Sequence, residues 1–331
     1  MYYFCTVFNF YYLSRAILML DSLDKNMNGK SYRIYAFVLD NESFEILSKL
    51  EKPNVILINP DDFEDSTLRR LRVERSIAEY CWTCTSHSIY FCFKKLNLSM
   101  CTYIDADLYF YSDPTALVDE LGKDSVLITL HRFSWVYKWL YSRLAGKYCV
   151  QFMTFRNNKD GLEALTWWKD KCVNWCFARY EDGKFGDQLY LNDWCHRFNG
   201  IHVLKNEGAL GPWSIALNYK VSQNQKHIYV KNYFSRRNYN LIFYHFSYLK
   251  FYYDGRKVKF LDLGSFFFKK TFIKMLYAPY VFELLSVSEK LEIDYKTIFL
   301  NYSDLSRADL KTKLRGFFGI SIYKLSFILN N

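Results

Sequence analysis

Four short apolar runs alternate with helical stretches through the first 105 residues, and this alternation restricts the fold more than any other feature of the chain. Tyr2–Phe8, Tyr32–Val38, Val55–Ile58 and Cys101–Ile104 each read as a strand rich in aromatic and aliphatic residues. Between them, Leu13–Leu23 carries apolar residues at helical spacing (Leu13, Ala16, Ile17, Leu20). Ser43–Leu50 reads as a short helix opening at Ser43, and Thr67–Leu98 as mostly helical. Strands and helices in this order predict βαβ units and an α/β fold: a Rossmann-type, open, mostly parallel sheet flanked by helices.

The pattern continues with strands at Val126–Thr129, Cys149–Phe155, Ile201–Leu204, Ile228–Val230 and Leu241–Phe246. Helical stretches are expected at Gly161–Phe177 and, after Gly186-Asp187, through Trp194. Beyond Leu261 the spacing turns helical, at Phe266–Leu276, Tyr280–Leu291 and near Asp309–Leu314. We therefore divide the chain at Asp254-Gly255, into an α/β unit over 1–255 and a basic, aromatic, helical extension over 256–331. At 331 residues, half of them hydrophobic and 24% charged, the chain can bury a sizeable core, which excludes global disorder.

Lys and Arg number 44 against 34 Asp and Glu, a net charge of +10 that suits phosphate-bearing partners: nucleic acid, a nucleotide substrate or an anionic membrane face. The nine cysteines are odd in number and lack a repeated spacing, which argues against a disulfide framework. Cys81-Trp82-Thr83-Cys84 is a Cys-x-x-Cys pair with no second pair beside it to complete a zinc site, so reduced, buried thiols are the simpler reading. Tyr2–Phe10 lacks the basic start and small-residue cleavage site of a secretory signal, and no 18-residue uncharged apolar run occurs. The expectation is a cytoplasmic protein. Glycine-rich dinucleotide and P-loop strings are missing, as is a nucleophile elbow. Aromatics interleave with basic residues over 226–259, but they are spread through the whole chain, so no nucleic-acid partner is expected.

The sharpest chemical feature is Tyr103-Ile104-Asp105-Ala106-Asp107-Leu108-Tyr109. Ligands of open α/β sheets bind beyond the strand ends, and two carboxylates two apart on a strand share a side. Like charges so placed call for a cation or proton between them; Mn²⁺ or Mg²⁺ would serve and would also bridge to a diphosphate. The competing reading is a solvated turn with two acids.

In this context the sequence resembles nucleotide-sugar-dependent glycosyltransferases of the GT-A fold, in particular bacterial enzymes of lipopolysaccharide and surface-polysaccharide synthesis. The segment YIDADLYFYSDPTAL (Tyr103–Leu117) looks like their metal-binding Asp-x-Asp strand end. The resemblance spans roughly Tyr2 to Tyr253 and implies that 1–255 is a catalytic domain. It further implies Asp105, Asp107 and His245, the last within Tyr244-His245-Phe246, as metal ligands. A packed histidine is the alternative for His245. RSIAEYCWTCTSHS (Arg75–Ser88) looks like the helix beside the donor sugar, with Arg75 as the donor contact. Glu79, Thr83 and Ser86 share one helical face there, lining a site or facing solvent.

Asp187 and Gln188, in Gly183-Lys184-Phe185-Gly186-Asp187-Gln188, match the family's acid-amide pair at the reacting centre, as general base or beside an oxocarbenium-like centre. A helix cap is the alternative for Asp187. Ala106 lies within the donor motif. Gln151 stands where the family has a small residue and would contact sugar hydroxyls instead. Trp213 would pack on sugar or base, or in the core, and Phe8 and Tyr12 would bracket the base.

The implied activity is transfer of a sugar from a nucleoside diphosphate sugar, a UDP-sugar for preference, to a surface glycan or lipid-linked acceptor. The alternative is an inactive sugar-nucleotide-binding or assembly partner. The basic, apolar run Phe266–Leu276 suggests peripheral contact with the inner membrane face, or else a helix packed on the catalytic domain.

Overall fold

The structure, a computed structural model, describes residues 1–134, 138, 141–143, 145–225, 227–247, 249–253, 258–262, 270–292, 299–301 and 323–324. In chain order the strands are β1 (Tyr2–Phe8), β2 (Tyr32–Val38), β3 (Val55–Ile58), β4 (Met100–Ile104), β5 (Leu108–Phe110), β6 (Val126–Leu130), β7 (Tyr148–Arg156), β8 (Ile201–Val203), β9 (Ala209–Leu210), β10 (Tyr219–Asn224), β11 (His227–Asn232), β12 (Asn238–Asn240), β13 (Phe243–His245), β14 (Leu249–Tyr253) and β15 (Val258–Asp262). The helices that matter here are α1 (Leu13–Asn26), α2 (Asn41–Lys49), α3 (Pro60–Phe63), α4 (Ser66–Glu74), α5 (Ile77–Lys94), α6 (Thr115–Asp119), α7 (Lys159–Asn174), α8 (Pro212–Asn218) and α9 (Ala278–Lys290).

The central sheet has the strand order β3-β2-β1-β4-β7-β6-β8. Its pairings are parallel except on either side of β7, which runs antiparallel to both β4 and β6. The expected open, mostly parallel α/β sheet is the one observed. Because helices cover both faces, its strands are apolar on both sides rather than alternating. Along β1, Phe4 and Phe8 meet Leu13, Ala16, Ile17 and Leu20 of α1, while Cys5 and Val7 point the other way toward α5 and α7. In that second layer Trp168 of α7 lies parallel to Phe155 of β7 at 6.2 Å and edge-on to Trp194 at 5.8 Å.

Local sequence fixes the helix starts. Asp40 caps α2, so that helix opens before the expected Ser43, whose N–H donates to the Asp40 carboxylate. Ser76 and Glu79 form a reciprocal capping box at the start of α5.

A smaller sheet, β5-β13-β9, follows the central one, with β13 antiparallel to β5 and parallel to β9. These short strands carried no clear sequence signal apart from β13.

On either side of the expected division at residue 255, β14 and β15 pair antiparallel, from Leu249 opposite Asp262 to Tyr253 opposite Val258. The region beyond is also not purely helical, since strand segments occur at Phe299–Asn301 and Tyr323–Lys324. A helical stretch does run from Lys270 through a π-turn at Ile273–Tyr277 into α9. It packs on the α/β unit: Phe272, Leu276, Tyr280, Val281 and Leu284 are buried with Leu18 of α1, and the Ser288 hydroxyl donates to Ser14 at 3.0 Å. For residues 270–276 the packing alternative therefore holds over membrane contact. The start of the Phe266–Leu276 run and the helix expected near Asp309–Leu314 lie outside the described residues. Among the described residues no helix is long and apolar enough to cross a membrane.

His87, on the buried side of α5, is 8% exposed, and its Nδ1 lies 3.0 Å from the Thr83 carbonyl. Burial pulls its pKa down to about 4. The unfolded chain therefore takes up a proton near pH 6.5 that the folded one refuses, so stability falls as pH drops from 6.5 toward 4. In urea melts, His87→Gln should lose about 2 kcal/mol less than wild type between pH 7 and pH 4.5.

Candidate active site

β4 ends at Ile104, and the chain turns through Asp105-Ala106-Asp107 before re-entering as β5. The turn is pinned by backbone bonds: Asp105 N–H donates to Gln151 at 3.0 Å, and Phe246 N–H donates to the Asp107 carbonyl at 3.0 Å. The two carboxylates converge because of this turn, not through the pleat of a strand as their spacing suggested. β13 lies beside β5 with His245 opposite Leu108, which brings the imidazole between the acids. His245 Nε2 is 2.9 Å from Asp107 Oδ1 and 3.5 Å from Asp105 Oδ2. The three potential ligand atoms all lie within 4.8 Å of one another.

The other ring nitrogen, Nδ1, lies 2.7 Å from the Gln151 carboxamide oxygen. A hydrogen bond donated there keeps the Nε2 lone pair directed at the carboxylates when the ring is neutral. Gln151 comes from β7, the one antiparallel strand, whose beginning lies where its neighbours end. It is 1% exposed, so it supports the histidine and does not face sugar hydroxyls as expected. Trp213 of α8 is equally buried; its ring stands edge-on to His245 at 5.4 Å and to His131 at 5.0 Å, which is the core alternative for this residue. Gly211 makes room for it, since a Cβ there would come within 2.6 Å of the indole.

The electrostatics tie the three groups together. Burial pushes Asp105 up to about 6, the Asp107 charge adds to this, and His245 opposes it. Burial works against the Asp107 charge as well, yet the charge and hydrogen bond of His245 hold that carboxyl below the usual range. The two acids keep the His245 imidazolium well above its ordinary value despite burial. A proton on the imidazole thus fills the position between the acids. Two oxygens and one nitrogen form a donor set that fits Mn²⁺ and, less well, Mg²⁺. Among the described residues a second group, Cys5, Cys92 and Cys101, also brings ligand atoms within 4.8 Å, but all three are 0% exposed in the core. The Asp105 side chain is 27% exposed and opens its cluster to solvent.

Asp187 lies in the loop after α7, where the Trp168 indole N–H donates to its carbonyl at 2.8 Å. Gly186 before it has φ 52°, and the face of Trp82 closes over it. The capping alternative is not realised: Gln188, half-buried, is the residue that precedes the 3-10 turn Leu189–Asp193, and no side-chain cap bond forms. The Asp187 carboxyl is buried instead, near Asp105. Burial and then the Asp105 charge push it up to about 8. Between the two acids the Thr85 hydroxyl lies 3.5 Å from that of Tyr103, and both residues bear on the carboxyl charges, Thr85 on Asp187 and Tyr103 on Asp105. Thr85 and Tyr103 were missed by sequence reasoning. Their signals were present, Tyr103 two positions before Asp105 on one strand and Thr85 inside the polar stretch of α5.

The remaining expected donor contacts fall elsewhere. Arg75 is not on a helix but between α4 and α5, and it is 7% exposed. Its guanidinium donates to Thr83 Oγ1, to the Cys172 carbonyl at 2.7 Å and to the Val173 carbonyl at 2.6 Å, clamping the end of α7. Thr83 and Ser86 are both 0% exposed and bonded within this contact, while Glu79 accepts from the Ala178 N–H at 2.7 Å. The polar stripe is thus a helix-to-helix interface, neither a solvated face nor a lining. Phe8 is 2% exposed and sits in the core beneath β1. Tyr12 is 37% exposed, with Arg15 over its ring at 4.8 Å, and the charges of Asp107 and Asp105 act on its hydroxyl. The structure thus places Asp105, Ala106, Asp107, His245, Gln151, Trp213, Asp187 and Tyr12 about the end of β4, whereas Arg75 and Thr83 bond at the contact of α5 with α7, Ser86 is buried on α5, and Phe8 packs in the core. Arg75→Met should cost about 2–4 kcal/mol of stability in denaturant melts by orphaning two carbonyls, with nucleotide affinity unchanged.

No family model matches the chain. Among solved structures, it is similar to the galactosyltransferase LgtC in complex with donor and acceptor sugar analogues (15% identity, TM-score 0.43, covering 63% of this chain and 76% of that one). It is also similar to mouse xyloside xylosyltransferase 1 in its apo form (14% identity, TM-score 0.40, covering 63% and 87%). In sequence it is 28% identical over 250 residues to the uncharacterized protein YfnD of Bacillus subtilis strain 168, covering 74% of this chain and 77% of YfnD. The match to the uncharacterized protein YfnF of the same strain reaches 30% over 254 residues, 74% of this chain and 80% of YfnF, and the chain belongs to the family of YfnF.

Proposed function

We propose that this chain is a metal-dependent glycosyltransferase that moves a sugar from a nucleoside diphosphate sugar, a UDP-sugar for preference, onto a surface glycan or lipid-linked acceptor. The observation that carries this reading is the convergence of Asp105, Asp107 and His245 at the carboxyl end of a central parallel strand, with Asp105 open to solvent. These three residues would hold Mn²⁺ or Mg²⁺. When bound, the ion supplies Lewis-acid stabilisation of the charge on the departing diphosphate.

The chain's own groups account for the rest. Gln151 fixes the His245 ring, and Trp213 backs it. Tyr12, directly before α1, would border the place where the base would lie. Asp187 is buried, adjacent to Asp105 and poised near neutrality, the condition under which a carboxyl exchanges a proton with a hydroxyl most readily. Gln188, beside it and half-buried, would hydrogen-bond at the reacting centre.

Thermal shift with UDP, GDP, CMP and dTDP and their sugars, each with and without Mn²⁺, tests the site. One nucleotide should stabilise the protein only when Mn²⁺ is present. Asp105→Asn and Asp107→Asn should remove that shift and metal-dependent turnover while the far-UV spectrum stays native. Gln151→Leu should weaken Mn²⁺ binding by about 10–100-fold. Asp187→Asn should keep the Mn²⁺-dependent shift and lose about 100-fold or more in turnover. Wild-type turnover in Asp105→Asn would overturn the assignment.

A further inference from the structure

The hairpin turn between β11 and β12 has no part in the site described above, yet it is built to present side chains outward. β10, β11 and β12 form an antiparallel meander with Tyr219, Val221, Ile228 and Val230 buried against the rest of the molecule. Glu207 anchors its inner end, accepting from Tyr219 at 2.8 Å and from Asn232 at 2.6 Å. The turn itself is preset: Asn232 Oδ1 accepts from the N–H groups of Phe234 at 2.8 Å and Ser235 at 3.1 Å, and Arg236 holds φ 55°. At its tip Phe234 is 75% exposed and Tyr233 42% exposed. Lys231, Arg236 and Arg237 around them are exposed as well, and among the described residues neither arginine has an ion-pair partner.

From Gly208 to Tyr253 the sequence contains six Lys and Arg and no Asp or Glu, and Glu207 just before it is engaged by Tyr219 and Asn232 at the inner end. An exposed aromatic ring on a hydrogen-bonded turn flanked by cations matches the two layers of an anionic bilayer surface. The ring enters the acyl boundary, and the cations stay at the headgroups. A soluble polyanion would use the cations and leave the phenyl ring without a role. Single-stranded RNA would call for several aromatic platforms along a groove rather than one ring at a tip.

We propose that the Tyr233–Arg237 tip is an interfacial anchor that seats the protein on an anionic lipid surface. This does not depend on the donor chemistry proposed above. The test is flotation of the full-length protein with phosphatidylcholine vesicles, with and without about one-third phosphatidylglycerol. Wild type should float only with the anionic vesicles. Arg236→Glu/Arg237→Glu should reduce the bound fraction about tenfold or more, and Phe234→Ser should reduce it several-fold at unchanged charge. Lys49→Glu/Lys123→Glu, with the same charge change at exposed sites elsewhere, should bind like wild type. All variants should retain wild-type melting and Mn²⁺-dependent nucleotide shifts, which separates failure of the anchor from failure of the catalytic reading. The proposal is overturned if wild type does not float with anionic vesicles. It is equally overturned if Phe234→Ser binds as tightly as wild type, or if the control pair loses as much binding as the arginine pair.

Discussion

Two carboxylates buried within reach of one another cannot both keep their charge without a cation between them, and much of this molecule is arranged around that constraint. Asp105 and Asp107 come from a three-residue turn at the end of a central strand, and the imidazole that neutralises them arrives from a strand 138 residues later in the chain. The hydrogen bond that Gln151 Oε1 accepts from His245 Nδ1 sets the ring's tautomer, and Trp213 stands edge-on to the ring. Without the imidazole between them, the two acids would repel each other at this strand end.

The sheet makes this possible through one reversed strand. A purely parallel sheet delivers only strand ends to the crevice. Because β7 runs antiparallel, its first residues reach the same edge, so Gln151 and Cys149 stand beside the ends of β4 and β6. The small sheet β5-β13-β9 then closes over that edge and carries His245 to it. On the other side, Thr85 of α5 meets Tyr103 of β4, while Arg75 bridges Thr83 of α5 to the end of α7.

That contact was not legible from spacing. Thr83 and Ser86 share a helical face with Glu79, which marks a polar stripe but not what covers it. Only the approach of the end of α7 turned that stripe into an interface and made Arg75 a clamp. Phe8 likewise ends a strand at the crevice edge, but the strand's period of two directs its ring into the α1 layer while Tyr12 stays at the rim. On either side of residue 255, at the expected boundary, β14 and β15 pair antiparallel.

The sequence by itself determined the α/β class, the early strands and helices and the pair of acids at a strand end, because each follows from periodicity or from groups within a few residues of one another. It also pointed to His245 and Asp187, by resemblance rather than by spacing. The tertiary structure alone decided that Gln151 meets the His245 ring, that Thr85 meets Tyr103, and that Arg75 is a brace. Those roles depend on contacts between residues tens of positions apart, and local patterning carries no information about which distant groups a folded sheet will bring together.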